Sequence, residues 1–321
     1  MSDTGGQSAP SGRSAPSGRS APGGRSAQGN RTAHGNRSAQ DGQGTGRIQT
    51  LLRLSWLEAK RHFASPRMLA LAVLLVLFIG GGSWGLADPD STVSSQIQTE
   101  TAYEVLFLVS LFVLFSATLG VVLLGFDGIS RKRLTGELAI ELAQPIARLD
   151  LAASQLLGLW LAAFIPTTIV SLGGMVLIES QMGQYPSAAE AAYFLTATGL
   201  VLFWYASIQL LASSIAKDVG SAVTLGVGAW LTFTLVWLLI TAVLATLMGV
   251  DVTNMQSDAY GKFSELVDLF SPNGVYQLLL ENRLSGDAAP HLPSAVIYLS
   301  TLVWTVVPAW LFFYRFRRLK P

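Results

Sequence analysis

The chain has 321 residues, of which 50% are hydrophobic and only 13% charged. Soluble domains carry roughly 25% charged residues, so this composition excludes an ordinary water-soluble fold and leaves a polytopic membrane protein. The net charge is +1 and there is no cysteine, which excludes disulfides, thiolate metal sites and cysteine nucleophiles.

Residues 1–46 form a low-complexity tail with a six-residue repeat. SAPSGR at 8–13 recurs at 14–19, becomes SAPGGR at 20–25, and decays through SAQGNR and TAHGNR. Almost nothing apolar is present to offset the entropy of ordering, so the tail is expected to be disordered, with Arg13, Arg19, Arg25, Arg31 and Arg37 solvated. It lacks the apolar core of a signal peptide. Residues 47–63 (RIQTLLRLSWLEAKRHF) change character: Ile48, Leu51, Leu52 and Ser55 fall on one face at helical spacing. This pattern predicts an amphipathic helix, either in the headgroup layer or packed on protein.

Six apolar runs follow, at 68–86, 103–125, 151–178, 191–215, 219–249 and 295–314. Each approaches or exceeds the roughly 20 residues needed to cross a hydrocarbon core. The fifth is long, so tilt, a break at Gly226 or Gly228, or extension beyond the bilayer is expected. Orientation follows from lysine and arginine bias. Arg47, Arg53, Lys60, Arg61 and Arg67, then Arg131, Lys132, Arg133 and Arg148, then Lys217, and finally Arg315, Arg317, Arg318 and Lys320 share one side; Lys262 and Arg283 hold the other. Both termini are therefore expected in the cytoplasm of a cell-membrane protein.

In the outer loop, 250–294, Phe263, Leu266, Val267 and Phe270 share a helical face. Ser271 reads as an N-cap with Pro272 at the first helical position. Two short helices are expected there, lying on the outer leaflet or capping a substrate path.

Familiar catalytic patterns are missing. There is no GxxxxGK[ST] phosphate loop, no HExxH and no Gly-x-Ser-x-Gly, and His34, His62 and His291 are scattered. The spans also lack the deep Asp, Glu, His or Lys that ion-coupled carriers use. Gln155 and Gln209 are their strongest polar groups and suit interhelical hydrogen bonds. Energy for transport would then come from another polypeptide.

Between the second and third spans lies a charged island, FDGISRKRLTGELAIELAQPIAR from Phe126 to Arg148. Gly136 ends its basic lead-in, 137–143 has helical composition, and Pro145 stops it. Such an element is either a grip by which a partner moves two spans together or a solvated loop that fixes topology. The island and the start of the next span resemble the ABC-2 type permease family through Asp127, Ile129, Gly136, Leu138, Leu142, Pro145, Ile146, Arg148, Leu157 and Gly158. FSPNGVY resembles that family's outer Ser-Pro element at Ser271, Pro272 and Tyr276. Within the family the layout is most similar to the permease of the nitrous-oxide-reductase maturation system. The sequence departs from the family pattern at Lys132 and Leu134, where acidic residues are usual, and at Gln155, where lysine is usual.

The resemblance implies an all-α integral membrane fold: six transmembrane helices, an N-terminal interfacial helix (47–63) and a cytoplasmic coupling helix within the loop 127–150. It implies a permease subunit without its own ATPase site. ATP and magnesium would sit on a separate ABC ATPase subunit, and the permease would pair with a second copy or a related chain to export a substrate. Arg131, Arg133, Gly136, Glu137, Leu138, Glu141, Leu142, Pro145 and Arg148 are the expected ATPase contacts; no catalytic, cofactor or metal residue is expected. A different class of function, a membrane scaffold that recruits partners without transport, also fits the residues.

Overall fold

The computed structural model describes residues 32–88, 99–254, 257–284 and 289–319, with the side chains of 32–45 excepted. The chain divides into Met1–Arg47 and a second compact unit, Ile48–Pro321. All regular structure among the described residues is helical. Helix α1 spans Thr32–Phe63, so it begins upstream of the amphipathic stretch, within the segment read as tail; the repeats before residue 32 lie outside the described residues.

Among the described residues, six helices are long and apolar enough to cross a membrane: α2 (Pro66–Ala87), α3 (Ala102–Gly125), α6 (Arg148–Met182), α7 (Ala188–Ile215), α8 (Val219–Leu247) and α11 (Ser294–Arg317). On the basic side, α4 (Ser130–Leu134) and α5 (Glu137–Ala143) sit between α3 and α6. On the acidic side, α9 (Asp258–Asp268) and α10 (Pro272–Glu281) join α8 to α11.

Local chemistry sets many of the ends. Thr101 and Glu104 form a reciprocal capping box at the start of α3, as do Ser187 and Glu190 for α7 and Asp218 and Ser221 for α8. Each satisfies backbone donors that a helix start leaves open. Glu104, the ionisable side chain of the second apolar run, is thus a cap. Gly183 closes α6 in the left-handed region at φ 67°.

Helices α3 and α7 form the centre: 67% of the apolar window of each is buried within the chain, against 11% for α8. α3 packs on α2, α6 and α7, while α7 also contacts α8, α10 and α11. α1 approaches α6 through Ser55 and Glu58; a Cβ on Gly158 would meet the Glu58 Cβ at 2.6 Å. Ile48, Leu52, Trp56 and Leu57 of α1 stay uncovered. One side of this helix is thus packed on protein and the other is left uncovered.

The fold narrows two sets of alternatives. First, the irregularity in the long fifth span is a π-turn at Thr232–Val236, not a break at Gly226 or Gly228. Gly226 instead lets α7 approach, and its carbonyl accepts a 3.1 Å hydrogen bond from Gln209 Nε2. Second, the α9–α10 pair does not simply lie on the outer leaflet. Every residue of α10 from Pro272 to Leu280 except Gln277 is buried, and α10 packs against α3, α7, α11 and the π-turn. At the hairpin's turn, the Leu269 carbonyl accepts from Ser300 Oγ (2.8 Å) and Trp304 Nε1 (3.2 Å) of α11. Asp268 Oδ1 accepts from Trp237 Nε1 of α8 at 2.9 Å. Trp237 lies about 15 Å in from the end of α8, at roughly 1.5 Å of rise per residue. The hairpin is re-entrant.

Burial at that depth requires internal partners for every polar group, and α10 has them. Asn273 Nδ2 donates to Phe233 O (3.1 Å) inside the π-turn and lies 3.3 Å from Thr234 Oγ1, while its Oδ1 accepts from Tyr205 OH at 2.8 Å. Thr198 and Tyr276 hydroxyls are 3.1 Å apart. Tyr103 OH and Tyr193 OH donate to the carbonyls of Leu280 and Leu279, each at 2.8 Å. A π-turn frees backbone groups from the regular ladder, and Asn273 fills that vacancy.

Candidate functional site

The island is built from two short helices and a hinge. α4 starts where the Ile129 and Ser130 amides both donate to Ser213 Oγ of α7, each at 3.1 Å. It ends at Gly136, whose φ of 78° lies in the left-handed region; the space around its Cβ position is open, so backbone conformation alone calls for glycine. α5 stops at Gln144, which is extended because Pro145 follows.

Ion pairs and carbonyl contacts then fasten this module to the spans. Arg67, at the start of α2, grips Asp127 with both nitrogens (Nη1–Oδ1 2.7 Å, Nη2–Oδ2 2.9 Å), and Arg131 Nε reaches the same carboxylate at 2.6 Å. Lys132 Nζ bridges Glu58 of α1 (2.7 Å) and Glu141 of α5 (2.9 Å). Arg61 Nη1 joins Glu58 and Glu137, both at 3.3 Å, and Gln155 Nε2 of α6 donates to Glu141 Oε2 at 3.2 Å. Arg133 caps the end of α7 through the carbonyls of Ser214 and Ala216 (3.0 and 2.9 Å). Arg148 caps the end of α11 through Arg317 O and Leu319 O (3.1 and 2.9 Å). Cations at helix C-termini are favoured by the open carbonyls and the helix dipole.

The charge states follow from packing. Burial pushes the Glu58 carboxyl upward, but Lys132 beside it, helped by Arg61, holds it below its ordinary value of 4.5. Burial pushes the His62 imidazole below its usual range. On the acidic side, burial and then the charges of Glu265 and Asp268 raise Glu281 to about 7.

The expected ATPase contacts separate into two groups. Arg131, Gly136, Glu137, Pro145 and Arg148 are exposed. Leu138 is buried, Arg133, Glu141 and Leu142 are partly covered, and Arg131, Arg133, Glu137, Glu141 and Arg148 all bond within the chain. Two residues outside the expected set are Leu134 and Ile140, 61% and 68% exposed on the free face of the module. The signal for Ile140 is its position: two residues from Leu138, it falls on nearly the opposite side of the helix.

Six apolar helices among the described residues, two of them central, with a charged module clamped to one end, define an all-α multi-pass membrane protein. The family model described as ABC-2 family transporter protein matches residues 52–320. The chain belongs to that family, and the match assigns no subgroup within it. No curated protein matched the sequence.

Proposed function

We propose that this chain is the permease subunit of an ABC transporter, driven by a separate ATPase that docks on the α4–α5 module and powers export of a substrate. The basic side, with both termini, faces the cytoplasm of the cell membrane, as the lysine and arginine bias supports. The single observation that carries the reading is the module's division of labour. Its inner side is locked to α1, α6 and α7 by Lys132, Arg133 and Glu141, while its free side presents Leu134 and Ile140 to water. Exposed large apolar side chains on a short charged helix mark a protein contact, and the inner locks make a pull there a pull on the spans. α8, the least covered span, offers the widest face for a second permease chain.

Ile140→Asp tests this. The residue touches nothing the fold needs, so stability should change by less than about 0.5 kcal/mol. Recovery of the ATPase with the purified permease should fall at least about tenfold, as loss of one apolar anchor entails. Full ATPase recovery with normal nucleotide turnover would reject the docking role and favour a scaffold that works without it.

A further inference from the structure

The last stretch of α1, residues 48–63, leads directly into the first span: α1 closes at Phe63 and α2 opens at Pro66. Ser65 between them is extended, at φ −83° and ψ 146°, as a residue before proline tends to be. The two helices therefore do not run on as one rod. The end of α1 is tethered at the level where the chain enters the hydrocarbon, and Leu69 and Val73 of α2 are uncovered within the next two turns.

Ile48, Leu52 and Trp56 recur at every fourth position and form one uncovered stripe. Phe63 closes it, with its ring centre 6.4 Å from that of Trp56. Arg53 and Lys60 stand two helical turns apart on the edge of the stripe, and Lys60 Nζ lies 5.8 Å from the centre of the Trp56 ring. Glu58 is the one carboxylate of residues 48–63, and it is turned onto Lys132 and Arg61. Arg61 is spent on Glu58 and Glu137. Arg53 and Lys60 are exposed, and among the described residues neither has an ion-pair partner. The open side of this stretch thus pairs apolar surface with uncompensated positive charge.

A stripe of this kind, fixed at the height where a span begins, fits an anionic lipid surface. The aliphatic side chains meet the acyl region, Trp56 the headgroup layer, and the two cations the phosphates. A zwitterionic headgroup would offset its phosphate with a positive charge of its own. We propose that residues 48–63 bind the leaflet on the basic side by recruiting anionic phospholipid, of the phosphatidylglycerol class, to Arg53 and Lys60. Because Glu58 of the same helix holds Lys132, the bound leaflet also steadies the α4–α5 module. The contact is separate from the ATPase docking face at Leu134 and Ile140.

The test gives the purified full-length protein, in detergent, equal amounts of dioleoyl phosphatidylglycerol and dioleoyl phosphatidylcholine, and reads the retained lipid by native mass spectrometry. The glycerol lipid should be favoured at least about tenfold, the size that two cations at an anionic surface supply. Arg53→Gln combined with Lys60→Gln should lower that ratio at least about tenfold, while Arg53→Lys combined with Lys60→Arg should keep it. Equal retention of the two lipids by the parent protein would overturn the proposal, and this comparison decides even if a variant fails to fold. A ratio unchanged in the double glutamine variant would place the anionic lipid elsewhere and overturn the assignment of Arg53 and Lys60. Glycerophosphoglycerol competing as well as the intact lipid would overturn the membrane source. If that variant keeps its lipid ratio but loses a two-chain species from the same spectra, the face belongs to a second copy and the proposal falls.

Discussion

The two polar connections of this protein, 126–148 and 250–294, both read as extramembrane loops with short amphipathic helices, and the fold treats them in opposite ways. The first stays outside the spans, anchored by ion pairs, with Leu134 and Ile140 left in the open. The second sends α10 into the centre, held by neutral hydrogen bonds to Tyr103, Tyr193, Thr198, Tyr205 and the π-turn. The difference lies in where the charge falls. Arg131, Lys132, Arg133, Glu137 and Glu141 ring α4 and α5, whereas α10 has one ionisable carboxylate, Glu281, at its end. Neutral polar groups can be satisfied inside a bundle at modest cost; charges remain near water or in pairs.

That contrast can be broken at either end, and the expected losses rank by how much is left unpaired. Asn273→Leu strands the Tyr205 hydroxyl and the Phe233 carbonyl, and should cost about 3 kcal/mol. Thermal unfolding in detergent would show it, and an unchanged midpoint would mean that the hairpin is not held through Asn273. Lys132→Met removes the shared partner of Glu58 and Glu141 and should cost about 2 kcal/mol at neutral pH.

The pH dependence of Lys132→Met sharpens the same point, because the sign should invert. In the parent protein the Glu58 carboxyl sits below 4.5, so its contribution is present above that value and is lost as acid takes the pH through the lowered one. With Lys132 gone, burial dominates and the carboxyl rises. Stability should then recover as the pH falls from neutral toward 4.5. A variant that loses stability over that interval would contradict the assignment of Lys132 as the group holding Glu58 ionised.

Gly226→Ala drives a methyl group into the Gln209 amide and should cost about 1–2 kcal/mol, partly restored when Gln209→Ala is added. If the double variant is no better than the single one, the α7–α8 approach is not what Gly226 serves. The smallest effect is at Glu281, raised to about 7. A raised carboxyl stabilises fully below its unfolded value of 4.5 and loses that contribution as the pH climbs through about 7. The unfolding midpoint should drop between about pH 4.5 and pH 7, and Glu281→Gln should flatten the drop.

Lys132 also bears on the family pattern. The resemblance implies an acidic residue there, and the cation is accommodated because Glu58 and Glu141 converge on it from α1 and α5. Leu134, the other departure, is part of the uncovered face.

The amino-acid sequence by itself determined the six spans, the helix boundaries at Gly136 and Pro145, and the Ser271 cap, which accepts from the Gly274 amide as the Ser-Pro pair implies. These features are set within a turn or two of the residue that causes them. Only the tertiary structure decided that α10 enters the bundle, that the fifth span carries a π-turn where Asn273 arrives, and that Arg133 and Arg148 hold helix ends. Those outcomes depend on partners far apart along the chain, as with Tyr103 and Leu280, 177 positions apart. A local pattern records how polar a segment is, not which carbonyl will be waiting for it.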